Sequence, residues 1–224
     1  MTYIDEYKAR LNHFGEDNKS KIINSTKQSV NNIFSNNPSY RQVTINGESV
    51  DAIVNKTDKS FIKQILFRPD SIYDEGTLIT IDSKQYLVIG FQENEVYPLV
   101  EAKLCNNILT VPLPPIPTII GYDEMSNPIV EDEPVPPFTS PCIINGLDDT
   151  YQSNLSQSIA YTNADVSLTI QNSANLNATL SDKTFTMFAN TYHIYGFQYD
   201  KTFDDDKGLL IVLAHNTASE AGGS

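Results

Sequence analysis

The 224-residue chain has no tryptophan, two cysteines, three histidines and no apolar run approaching the roughly 20 residues of a membrane-crossing helix. Without tryptophan it lacks a common aromatic platform of sugar-processing clefts, so its acidic pairs are weak evidence for glycoside hydrolysis. Cys105 and Cys142 are too few and too far apart for a disulfide scaffold or a zinc knuckle. Buried free thiols are expected, with one bridge left open because sequence separation does not set spatial distance. His13, His193 and His215 have no metal-ligand spacing with one another, with Cys or with a carboxylate. His193 alternates with Tyr192 and Ile194 as a strand residue facing solvent would. No G-x-S-x-G, G-x-x-x-x-G-K-[ST] or G-x-G-x-x-G run occurs, so nucleophilic, phosphate-cradling and dinucleotide chemistry lose their usual signals. The opening "MTYIDEYKAR" has no apolar signal core, and an untargeted product of the cytoplasm is expected.

Cations are scarce in one half. Residues 1–103 carry 12 basic and 14 acidic residues, whereas residues 104–224 carry 3 and 14. No Lys or Arg lies between Lys103 and Lys183. Tight nucleic-acid binding needs a basic stripe, and the C-terminal half offers the opposite. Solubility explains this bias; the sharper reading is a surface that lies beside DNA without holding it. "NNPSYRQ" and the tyrosines suggest base stacking, but the aromatics sit at strand positions, where core packing explains them.

What is present is β pattern. With 40% hydrophobic and 19% charged residues the composition is that of a globular chain, long enough for one large β domain or two small ones. Residues 1–38 read as two helices. Tyr3, Ile4, Tyr7, Leu11 and Phe14 share one face, with a capping-box pair at Thr2 and Asp5 and a stop at Gly15. The second helix runs from about Asp17 to Phe34 with Ile22, Ile23, Val30, Ile33 and Phe34 inward, and Pro38 ends it. From residue 39 to 110 strands take over. "YRQVTI-NG-ESVDAIV" is a hairpin turned at Asn46-Gly47; "IKQILF", "GTLITI-DSK-QYLVIGFQ", "YPLVEAKL" and "NILTV" continue a meander. Residues 111–141 hold nine of the 12 prolines, which cannot donate to a ladder. They form two extended arms around an acidic hairpin, "IIGYDEMSNPIVEDE", expected to pack along this domain or a neighbour. Strands resume over 142–216, where "QNSANLNATLSD" reads as loop, and 217–224 is expected to be a flexible tail.

One stretch is nearly written twice: "QYLVIGFQ" at 85–92 and "TYHIYGFQ" at 191–198, 106 positions apart. Tyr86 matches Tyr192, Gly90 matches Gly196, and Phe91-Gln92 matches Phe197-Gln198. In each copy a strand and a three-residue turn precede a strand with glycine near its end, a place for a bulge. Two similar hairpins in one β fold are expected.

The acidic runs invite a calcium reading. Asp200, Asp204 and Asp206 in "DKTFDDDKG" could gather around a hard cation, yet the glycine and distal glutamate of the helix-loop-helix calcium loop are missing. A solvated hairpin tip is the better account. Asp123, Glu124, Glu131, Asp132 and Glu133 take the same discount.

The order of parts in "YKARLNHFGEDNKSKIINSTKQSVNNIFSNNPSYRQVTINGESVDAIV", "FRPDSIYDEGTLITIDSKQYLVIGF" and "EAKLCNN" resembles small head–tail connector proteins of tailed bacteriophages of low-GC Gram-positive hosts, above all the head-closure (stopper) kind. It covers residues 3–110, and "YHIYGFQYDKTFDDDKGLLIVLA" resembles their closing hairpin. The acidic, proline-rich middle departs from it. The resemblance implies a mainly β, barrel- or sandwich-like antiparallel protein without enzymatic activity or cofactor. It implies a self-assembled ring at the virion neck, assembled in the host cytoplasm. The portal or adaptor would lie on the head side and the tail terminator or tail tube on the other, with double-stranded DNA passing through and no membrane involved. Proline arms and edge strands suit β-augmentation between subunits, which makes Pro114, Pro115, Tyr122, Met125, Pro136 and Phe138 the expected partner contacts. The rivals are a tail-completion or baseplate component and a calcium-assisted carbohydrate- or host-surface-binding β module.

Overall fold

The computed structural model describes residues 17–59, 61–71, 73–92, 96–145, 166–204 and 206–217. The helix expected over residues 3–14, and all of the expected tail beyond Thr217, lie outside these. The chain is mainly β and antiparallel, and it divides into two units, residues 1–104 and 105–224.

The described residues of the first unit form a helix and a closed six-stranded barrel. Helix α1 (Asn18–Phe34) starts where the Asp17 side chain accepts hydrogen bonds from the Ser20 amide at 2.9 Å and its hydroxyl at 2.6 Å, satisfying an amide the first turn leaves open. Of the expected inner stripe, Phe34 is buried and Ile23 and Val30 are half-buried, but Ile22 and Ile33 are exposed. The inward face follows the 3-4-3-4 spacing Ser20, Ile23, Lys27, Val30 and Phe34. Helical geometry thus sets the face through a lysine, and the two off-phase isoleucines stay out.

Strands β1 (Tyr40–Ile45), β2 (Glu48–Lys56), β3 (Ile62–Phe67), β4 (Leu78–Ile81), β5 (Lys84–Gln92) and β6 (Leu99–Leu104) lie in the order β1-β2-β3-β6-β5-β4. The barrel closes where β4 meets β1 at Thr44–Thr80 and Ile45–Ile79. Asn46 and Gly47 have φ of 51° and 84°, the double positive-φ turn that matches strand twist in a two-residue hairpin. Alternate residues such as Val43, Ile45, Val54, Ile65, Phe67 and Val100 fill the interior, as a period of two requires.

The second unit contains β7 (Asn107–Val111), β8 (Ile116–Tyr122), β9 (Pro128–Glu133), β10 (Phe138–Asn145), β11 (Val166–Gln171), a single helical turn α2 (Leu176–Leu180), β12 (Thr184–Met187), β13 (Asn190–Phe203) and β14 (Lys207–Asn216). Its sheet runs β12-β13-β14-β11-β10-β7, with β8 and β9 as a separate hairpin. With that hairpin set aside, the six remaining strands follow the neighbour order of β1–β6, one for one. The units differ at the seam. β4 and β1 are hydrogen-bonded, whereas β12 and β7 come close without a ladder; Leu109 and Val111 of β7 still share one core with Phe185 and Met187 of β12.

The repeated octapeptides fall on equivalent strands, β5 and β13. Both are bulged just before the shared glycine, between Val88 and Gly90 and between Ile194 and Gly196. Both follow two-residue turns, shorter than the three residues expected, with positive φ at Asp82 and Ser83 and at Phe188 and Ala189.

Three further expectations change. "NILTV" is β7 and pairs with β10, not with the first meander. The second proline arm ends earlier, because Phe138–Pro141 begins β10. Pro141 is tolerated there because β10 pairs with β11 only from Cys142 onward. The stretch expected as loop contains α2, nucleated where Asn175 takes a left-handed φ of 60° and Leu176 and Leu180, one turn apart, are both buried.

Candidate interaction surface

No side chain of the β8–β9 hairpin is buried. It pairs Ile116 with Glu133, Pro117 with Asp132, Thr118 with Glu131, Ile119 with Val130, Gly121 with Ile129 and Tyr122 with Pro128, with a bulge between Ile119 and Gly121. Cross-strand partners share a face. One face therefore carries Pro117, Ile119, Tyr122, Pro128, Val130 and Asp132, and the other carries Ile116, Thr118, Ile129, Glu131 and Glu133. Tyr122 is 66% exposed and Met125, at the tip, 85%, so a large apolar surface lies open, the kind that marks an interaction site.

The tip is built, not loose. The Asp123 carboxylate accepts from the amides of Met125 and Asn127 at 2.8 Å and from the Asn127 side chain at 2.9 Å. Ser126 takes a positive φ of 64°, and the Asp123 and Asn127 backbones close the ladder at 2.9 Å. Hydrogen bonds from Asn127 and then Met125 hold the Asp123 carboxyl below the usual aspartate range. With Glu124, Glu131, Asp132 and Glu133 the hairpin has five acids and no base. Glu131, Asp132 and Glu133 face Thr118, Pro117 and Ile116, which offer no counter-charge.

Among the sequence-predicted contacts, Pro114, Pro115, Tyr122, Met125 and Pro136 are exposed. Phe138 is not among them in space. It sits in β10 opposite Val111 and packs on the core of the second unit.

A surface of opposite character lies in the first unit, on the turn between β2 and β3. Lys56 and Lys63 are cross-strand partners, and Lys59 stands in the loop between them. Phe61 is 64% exposed beside them. The Thr57 hydroxyl donates to the carbonyls of Lys59 and Ile62, both at 2.9 Å, and the Leu104 amide donates to the Phe61 carbonyl at 2.8 Å. Burial, then the Lys59 charge, pulls the Lys103 pKa below the usual lysine value, which places Lys103 in the same cluster. The signal was in the string "KTDKSFIK", three lysines in eight residues around a phenylalanine between two strands.

The calcium candidates do not converge. Among the described residues no three His, Cys, Asp or Glu side chains form a group able to hold a metal. Asp204 faces Lys207 at 3.5 Å, and the Asp206 amide donates to the Asp204 carbonyl at 2.6 Å, a hairpin tip. His193 and His215 are cross-strand partners, and His215 stacks on Tyr195 at 4.0 Å. Cys105 and Cys142 are free thiols.

Residues 119–215 match the family model of the YomX C-terminal domain, a phage-derived family, which suggests a phage protein. The matched span begins inside β8 and ends one residue before the end of β14, so it takes in most of the hairpin and of the second unit and none of the barrel. No curated protein and no solved structure matches the chain.

Proposed function

We propose that this is a structural, non-enzymatic virion protein of the phage neck. It joins the DNA-filled head, through portal or adaptor, to the tail, and helps line or close the DNA channel. The observation that carries the proposal is the β8–β9 arm: a hydrogen-bonded hairpin with an open apolar face, most of it inside the span similar to a phage-derived family. A rigid arm loses little conformational freedom on docking, which suits a part that must hold two pieces of a particle together. The acid excess of the C-terminal half supports a wall past which DNA slides.

The test is location and loss. A tag inserted after Thr217 should add density at the head–tail junction in micrographs of particles. Phage lacking the protein should yield filled heads that lose DNA, with free tails beside them. Tagged density at the distal tail would replace the neck reading with a tail-completion or baseplate role, and particles without the tag would remove both.

A further inference from the structure

We infer that the β8–β9 arm of one copy docks on the basic β2–β3 turn of a second copy of this chain. The proposal deepens the neck reading by naming the partner, and rests on chemistry that stands apart from location.

The arm presents an apolar face that also carries Asp132, with Glu131 and Glu133 on the reverse face and no cation on the hairpin. A binder for it needs an exposed apolar anchor set among cations. The β2–β3 turn supplies Phe61 amid Lys56, Lys59 and Lys63, with Asp58 as the one acid of the loop. Of the first unit's other cations, Lys27 pairs with Asp70, Arg41 with Asp82 and Arg68 with Asp51. Among the described residues Lys56, Lys59 and Lys63 lie in no ion pair. In the second unit the described cations are Lys183 and, on the β13–β14 hairpin among Asp200, Asp204 and Asp206, Lys201 and Lys207, the last facing Asp204. Both surfaces are preformed, the arm by Asp123 and the turn by Thr57, so docking orders little new backbone. Opposite charge would set register and speed encounter, while Phe61, Ile119 and Tyr122 would supply the apolar anchor. A head-to-tail contact of this type, arm of one onto turn of the next, closes into a ring or extends as a filament.

The test uses full-length protein and sedimentation velocity. Wild type should self-associate, at least about tenfold more weakly at high than at low salt as screening sets in. E131K/D132K/E133K and K56E/K59E/K63E should each lose association, with Tm and circular dichroism unchanged. Mixing the two variants should restore it, because each then offers the other an opposite charge. Phe61→Ser should weaken association about tenfold or more. Wild type that stays monomeric at every concentration overturns the inference. So do single variants that associate like wild type, or a mixture that gains nothing, which would leave the arm seated on its own chain or on a different protein. Restored association with no protein in virions would sink the neck reading alone.

Discussion

The guanidinium of Arg68 lies 4.8 Å from the centre of the Phe34 ring. The same group donates from Nε and Nη2 to Asp51 Oδ2 at 3.0 and 2.6 Å, and the Tyr40 hydroxyl donates to Asp51 Oδ1 at 2.7 Å. Phe34 ends α1, Arg68 follows β3, and Asp51 and Tyr40 are on β2 and β1. One cation therefore ties helix to barrel, by a cation–π contact and a charge-assisted bond together.

Removing the clamp should undock α1. Phe34→Ala deletes a fully buried ring and should cost about 3–5 kcal/mol. Arg68→Ala should cost about 1–2 kcal/mol, and Arg68→Lys recovers only part, because an ammonium lacks the planar fork. Urea melts followed by helix circular dichroism measure both; an Arg68→Ala midpoint equal to wild type would show that the clamp contributes nothing.

Acid should loosen the same site. Hydrogen bonds from Tyr40 and then Arg68 hold the Asp51 carboxyl below the ordinary aspartate range. A depressed folded pKa gives stability that is complete above the unfolded value and is lost as pH falls through the folded one. The wild-type midpoint should therefore drop below about pH 4, and Asp51→Asn should start lower and show a flatter acid limb. Equal slopes for the two proteins would remove Asp51 as the group responsible.

The barrel strands were legible because period-two burial needs only alternation, and Asn46-Gly47 names its own turn. The helix face was half legible: Phe34 and Val30 fit the spacing, but Ile22 and Ile33 are apolar residues off phase. The assignment of β7 was not legible, since "NILTV" reads as a strand with any neighbour and only the long-range register to Phe138–Cys142 decides its partner. Repetition of one strand order was visible only as eight similar residues, because a topology constrains which positions are inward and not which side chains fill them. The arm was legible from its prolines. The lysine turn was legible only as the string "KTDKSFIK", because a charge run looks alike whether solvated or contacted.

Gly208 should tolerate no side chain. It has a φ of +90°, and a Cβ there would meet the Lys201 carbonyl oxygen at 2.1 Å. Gly208→Ala should cost at least about 2 kcal/mol from backbone strain and the clash combined. A melt within error of wild type would mean that the β13–β14 end is not held as described.

Gln198 offers a gain. It is 6% exposed, and neither end of its amide has a hydrogen-bond partner among the described residues. An unsatisfied buried amide costs about 1–3 kcal/mol, so Gln198→Met should raise Tm. A fall would show that the amide is bonded in solution.

The thiols give the alkaline limb. Burial pushes Cys105 up to about 11, and burial, then the neighbouring Cys105, pushes Cys142 up to about 12. Since the thiolate is the nucleophile, both should react slowly with a thiol reagent at pH 8 in the folded protein and fast in denaturant. The linkage has the sign opposite to that of Asp51. From about pH 9 upward the unfolded thiols ionise while the folded ones keep their protons, so stability falls through the interval between 9.0 and about 12. Replacing both by Ala should shrink that fall even though it removes buried sulfur. If the alkaline slope is unchanged in the double variant, the raised tyrosines Tyr40, Tyr73 and Tyr86 carry it and the thiols do not.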